Sequence, residues 1–129
     1  MDDLHIKATE FTPEIAFDAK NGILTLSGDS YHDRTLEIFK PIVKWVDQFT
    51  QTTPLKEITI NFKMAYYNTI TSRRFLDILD LMENYEQHGG KVIINWYYTE
   101  RDSDMLESGR EFADDTQLKF NYKQVPEEN

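Results

Sequence analysis

The run Tyr66-Tyr67-Asn68-Thr69-Ile70-Thr71-Ser72-Arg73-Arg74 gathers hydroxyls, a carboxamide and two guanidinium groups where a strand gives way to a helix. Asn68, Thr69, Thr71 and Ser72 are each suited to cap that helix, and a helix uses one cap. The other hydroxyls are surplus. Arg73 and Arg74 oppose the helix dipole, at about 0.3 to 1 kcal/mol each if they sit in the first turn, in a chain with only 14 basic residues against 23 acidic. Free N–H groups, hydroxyls and guanidinium groups together suit a phosphate, either bound as an anion or attached covalently. A phosphoryl group on Thr69 would add about −1.5 to −2 charges and three acceptor oxygens at that point. The plainer alternative is an over-supplied cap followed by two solvent-facing arginines that snorkel or pair with Asp77 at i+4 or i+3.

Other residue types that carry chemistry are present without the spacing that chemistry requires. Neither GxGxxG nor GxxxxGK[ST] occurs, so the usual nucleotide cradles are missing. His5, His32 and His88 fall in three different elements with no HExxH spacing. Asp77 and Asp80 are three apart on a helix, in the solvated positions that alternate with an apolar stripe. Asp102, Asp104, Glu107 and Glu111 offer oxygen ligands for Ca²⁺ or Mg²⁺, but the run lacks the central Gly and the terminal Glu of a calcium loop. Asp102 and Asp104 read more simply as carboxylates opening a helix. With no cysteine in the chain, disulfides, thiolate nucleophiles and Cys-ligated metals are excluded. The expectation is a protein that is not an enzyme, with no metal and no cofactor.

The elements that position these residues follow from periodicity. Leu4 and Ile6, then Ile15 and Phe17, then Ile23, Leu24 and Leu26 mark three short strands, with Asn21-Gly22 as a hairpin turn. Leu36, Phe39, Val43 and Val46, flanked by Ile38, Ile42, Trp45 and Phe49, predict a helix from His32 to about Thr50. Pro41 inside it must kink the helix or begin its main segment. Thr52, Thr53 and Pro54 break the pattern before the strand Ile58, Ile60, Phe62. Thr69 to His88 predicts the second helix, stopped by Gly89-Gly90. Val92 to Tyr98 reads as a central strand buried on both sides. A short helix from Ser103 to Asp114 and a strand from Leu118 to Val125 follow, with a frayed tail from Pro126 to Asn129 expected.

The order β-β-β-α-β-α-β-α-β predicts an α/β fold: a mixed sheet, partly parallel, with an N-terminal antiparallel hairpin and about three helices mainly on one face. Residues 1–129 read as one domain, with an expected folded surface of roughly 7,000 Å². The net charge of −9 argues against nucleic acid or an anionic membrane as partner, since phosphate neutralisation needs clustered Lys and Arg. No apolar run approaches the length of a membrane span and no signal-peptide pattern opens the chain, so the cytoplasm is the expected location. Glu100 to Asp115 holds seven acids and two bases, a local net of −5.

Several segments in order resemble the SiaC family of bacterial regulatory phosphoproteins: Thr12-Pro13-Glu14-Ile15, Gly28-Asp29-Ser30-Tyr31, Trp45, the stretch containing Tyr67-Asn68-Thr69, Asn95-Trp96-Tyr97-Tyr98, and Asp104-Met105-Leu106-Glu107-Ser108-Gly109-Arg110-Glu111-Phe112. The resemblance implies a STAS-like fold and a partner-switching role in cyclic di-GMP signalling and biofilm regulation. It further implies phosphorylation by a cognate serine/threonine kinase, dephosphorylation by a PP2C-type phosphatase, and activation of a diguanylate cyclase by the unphosphorylated form. The family threonine falls on Thr69, with Thr71 as a competing acceptor, because this chain has Asn68-Thr69-Ile70-Thr71 where the family often has Asn-Thr-Ser-Ser. Tyr67, Asn68, Ser72, Arg73 and Arg74 then form the surroundings of the phosphosite. Asp104, Glu107, Gly109 and Glu111 are candidates for docking a basic partner face, against the alternative of a solvated acidic helix with Gly109 packed on the sheet. A module that binds a small anion or nucleotide without covalent modification is the other function this site allows.

Overall fold

A computed structural model describes residues 1–52 and 56–127. Nine elements occur in chain order: β1 (Leu4–Ile6), β2 (Glu14–Asp18), β3 (Ile23–Ser30), α1 (Thr35–Thr52), β4 (Glu57–Tyr67), α2 (Thr69–Gln87), β5 (Lys91–Thr99), α3 (Ser103–Asp115) and β6 (Phe120–Val125). The six strands make one sheet whose spatial order equals their chain order. β1, β2 and β3 pair antiparallel, and β3 through β6 pair parallel. Each parallel step is a strand-helix-strand crossover, a connection with a strongly preferred right hand. Adding every new strand on the same side with the same hand forces the three helices onto one face. The expected α/β architecture, with its N-terminal hairpin and helices on one side, is the one found.

That face holds the core. Phe17, Leu24, Ile60 and Ile94 lie in register across four strands, and all are buried. Trp45 of α1 meets Phe17, Phe75 of α2 meets Phe62, and Phe112 of α3 meets Trp96, with ring centroids 5.0 to 5.5 Å apart. Burial of such large side chains contributes about 1.5 to 3 kcal/mol each.

The opposite face is open, which corrects the reading of the Val92 to Tyr98 strand as buried on both sides. Ile93 and Tyr97 are only half-buried there. The face is held by a row of side-chain amides instead: Asn121 donates to Asn95 at 3.2 Å, Asn95 to Asn61 at 2.9 Å, and Asn61 to Thr25 at 3.2 Å. One row further along, the Lys63 and Lys123 ammonium groups lie 4.9 and 5.8 Å from the Tyr97 ring, within cation–π range.

Local details refine the periodicity reading. Only Gly22 of the Asn21-Gly22 pair takes a positive φ, because the link is a four-residue loop closed by Gly22 N–H donating to Asp18 O at 2.9 Å. α1 begins at Thr35 rather than His32, and it runs through Pro41 without interruption. β6 begins at Phe120, with Leu118 buried in the segment before it. The breaking signal at Thr53-Pro54 and the last two residues of the expected frayed tail, Glu128 and Asn129, lie outside the described residues. Among the described residues no helix is long and apolar enough to cross a membrane.

Candidate functional site

The start of α2 sorts the four competing cap residues. Asn68 has extended backbone (φ −92°, ψ 177°) and is the cap, its side chain accepting from Thr71 N–H at 2.9 Å. Its own N–H donates to Ser30 O at 3.0 Å, tying the helix start to the end of β3. Thr71 is 0% exposed. Its hydroxyl lies 2.7 Å from Ser30 Oγ, 2.8 Å from Asn68 Oδ1 and 3.1 Å from Ser30 O, so it is an internal clamp. Thr69, the first helical residue, is exposed, and its hydroxyl makes no hydrogen bond among the described residues. A side chain at this position stands over free N–H groups of the first turn.

Thr69 opens onto a pocket of about 280 Å³ between the start of α2 and α3. Tyr67, Asn68, Thr69, Ser72 and Leu76 line one wall, and Ser108, Glu111, Phe112 and Asp115 line the other. Ser108, Glu111, Phe112 and Asp115 are spaced by three or four, which places them on one helix face. The Tyr67 hydroxyl titrates above its ordinary value, first because it is buried and then because the Glu111 and Asp102 charges oppose its ionisation, while a hydrogen bond with Ser108 works the other way. Its ring packs against Phe75, 5.0 Å between centroids. The phenol therefore stays neutral at pH 7.

The two arginines part company. Arg73 is exposed and stands four residues after Thr69, one turn along the same helix face. Arg74 is half-buried, with Nε 3.4 Å from Asp77 Oδ2. That nitrogen makes no hydrogen bond among the described residues, so the pair is an ionic contact without hydrogen-bond geometry, as the plainer sequence reading allowed for one arginine. Neither side chain lines the pocket.

On α3, Asp104 and Glu107 are exposed, and Glu111 is exposed at the rim of the pocket. Gly109 faces inward: a Cβ placed there would lie 2.5 Å from Trp96 Cδ1. It is therefore a packing residue, and it does not present itself to a partner. Asp102 caps α3 through Met105 N–H at 2.9 Å, and Trp96 Nε1 donates to Met105 O at 2.8 Å. Among the described residues no three carboxylates or histidines gather as metal ligands. The residues that sequence reasoning missed are Ser108 and Asp115, which complete the pocket, and Ser30, which holds Thr71. The 3-4 spacing on α3 was visible, but its facing α2 was not.

The site thus consists of an exposed hydroxyl at a capped helix start, beside an acidic helix on a one-sided sheet. Comparison with known proteins places it: the chain matches the SiaC family of regulatory phosphoproteins over residues 6–125. It belongs to that family, and it is a regulator and not an enzyme. A protein of Pseudomonas aeruginosa (strain UCBPP-PA14) is 34% identical over 120 residues, covering 93% of this chain and 94% of that one. The crystal structure of apo-SiaC from Pseudomonas aeruginosa superposes with a TM-score of 0.87 at 32% identity, over 95% of this chain and 99% of that one. A chain in the crystal structure of the diguanylate cyclase SiaD in complex with its activator SiaC, from the same organism, superposes with a TM-score of 0.90 at 32% identity, over 95% of this chain and all of that one.

Proposed function

We propose that this chain, acting as a single domain in the cytoplasm, binds and activates a diguanylate cyclase in its unmodified form and is released when Thr69 is phosphorylated. The observation that carries the choice of residue is the contrast between two threonines on one helix turn. Thr69 presents a free hydroxyl to solvent, whereas Thr71 is fully buried and bonded to Ser30 and Asn68. A kinase reaches the first without disturbing the cap, but it must open the start of α2 to reach the second. Support for the partner comes from the related SiaC, which the crystal structure holds with its cyclase SiaD.

In this reading a serine/threonine kinase and a PP2C-type phosphatase set the state of Thr69. The added phosphoryl group faces the free N–H groups of α2, with Arg73 one turn away, which lowers the cost of placing two negative charges there. Tyr67, Asn68 and Ser72 shape its surroundings. Co-expression with the cognate kinase and mass spectrometry of the intact and digested chain tests the site. Phosphate on Thr69, with the Thr69→Ala chain activating the cyclase whether or not kinase is present, is the expected result. Stoichiometric phosphate elsewhere, with Thr69→Ala still switched off by the kinase, sinks the proposal.

Use of the same helix start for a free anion or nucleotide is disfavoured by Glu111 and Asp115, which line the pocket with charge of the wrong sign. Calorimetry of the unmodified chain with phosphate, ATP and GTP should accordingly show no saturable heat.

A further inference from the structure

We propose that Glu111 and Asp115 are the residues that sense the phosphoryl group on Thr69, and that repulsion across their shared pocket loosens α3 from the sheet. The inference rests on Thr69 being the modified residue and adds how the modification is read inside the molecule. Thr69, Glu111 and Asp115 line one cavity of about 280 Å³. A dianionic group on Thr69 thus shares that cavity with two carboxylates, and charges closer than the Debye length, about 8 Å at physiological salt, are only partly screened. Arg73 and the free N–H groups of α2 act on the same phosphoryl group from its own helix, but they pull it toward α2 and leave the α3 side unneutralised. From β4 the pocket receives only the neutral Tyr67 hydroxyl.

α3 is built to yield. Of its 13 residues only Met105, Gly109 and Phe112 are buried, and the four salt bridges among the described residues do not include it. What holds it is the contact of Gly109 with the Trp96 ring, the Trp96 Nε1 bond to Met105 O, the Asp102 cap on Met105 N–H, and the Phe112 ring against Trp96, Phe75 and Tyr67. Few buried contacts mean a low local opening free energy, the condition for a small repulsion to change its population. Asp104 and Glu107, exposed on the same helix, move with it, so one phosphoryl group at α2 alters the acidic surface of α3.

The test installs phosphothreonine at position 69 by genetic encoding, so that it does not depend on which residue a cellular kinase selects. ³¹P NMR titration compares this chain with its Glu111→Gln/Asp115→Asn counterpart. Removing two negative charges favours the dianion, and the second phosphate pKa should fall by about half a unit. Hydrogen exchange over α3 should be faster in the phosphorylated chain than in the unmodified one, and that difference should vanish in the double variant. Glu107→Gln, on α3 but outside the pocket, should leave both readings as they are in the parent. An unchanged phosphate titration, α3 exchange that ignores the phosphoryl group, or equal shifts from Glu107→Gln would overturn the proposal. Failure of the kinase to modify Thr69 would overturn the proposed function but leave these readings intact.

Discussion

Two threonines on one turn of helix illustrate how little residue type says about role. Thr69 and Thr71 are chemically identical, and both stand in the first turn of α2. Thr71 fills a buried position between the end of β3 and the cap, where its hydroxyl partners Ser30 and Asn68. Thr71→Ala should therefore cost about 1 to 3 kcal/mol, because Ser30 Oγ is left buried without its partner. Thr69→Ala at an exposed position should stay within about 0.5 kcal/mol. Urea unfolding of the two variants reads the difference directly, and similar midpoints would show that the clamp is not formed. The surplus of cap-forming residues was legible in the sequence, and so was the oddity of the arginines. Which hydroxyl turned inward was not, since that depends on Ser30, forty-one residues before Thr71 and in register with Tyr67 only once β3 and β4 pair.

Gly109 shows the same limit for an element. Its place in an acidic helix let it be read either as a docking residue or as a packing residue, and the choice turns on which way α3 faces. The Trp96 ring occupies the space that a Cβ would need, and that ring is fully buried among Phe62, Phe112 and Tyr67. Gly109→Ala gains about 1 kcal/mol of helix propensity but forces overpacking worth about 1 to 3 kcal/mol. The net expectation is a destabilisation of about 1 kcal/mol, seen as a lower urea midpoint together with faster hydrogen exchange in α3. A more stable variant would mean that α3 does not lie so close to β5. Strands with clean alternation, such as Ile58, Ile60 and Phe62, disclosed their buried face in advance. β5 did not, because Ile93 sits half-buried on the open face beside Thr59, and a run of apolar residues cannot say how many faces are covered.

At the scale of the whole molecule, the two sides of the sheet present different features. The helical side carries the acidic α3, whereas the open side of the sheet carries Lys63 and Lys123 about Tyr97 and the amide row from Asn121 to Thr25. Asn95 is central to that row, donating to one neighbour and accepting from another. Asn95→Ala should cost about 1 to 3 kcal/mol, and a double-mutant cycle with Asn61→Ala should show coupling, which independent surface amides would not. The sheet's strand order also has a bearing on how the protein is made. Each strand pairs with the one synthesised just before it, so the sheet can grow outward as the chain leaves the ribosome, N-terminal hairpin first, without waiting for a distant segment. The wall of the Thr69 pocket supplied by α3 comes last, complete only when Asp115 of a 129-residue chain has emerged. A nascent chain therefore exposes Thr69 before Glu111 and Asp115 stand opposite it, and the electrostatic reading of that residue belongs to the finished molecule alone.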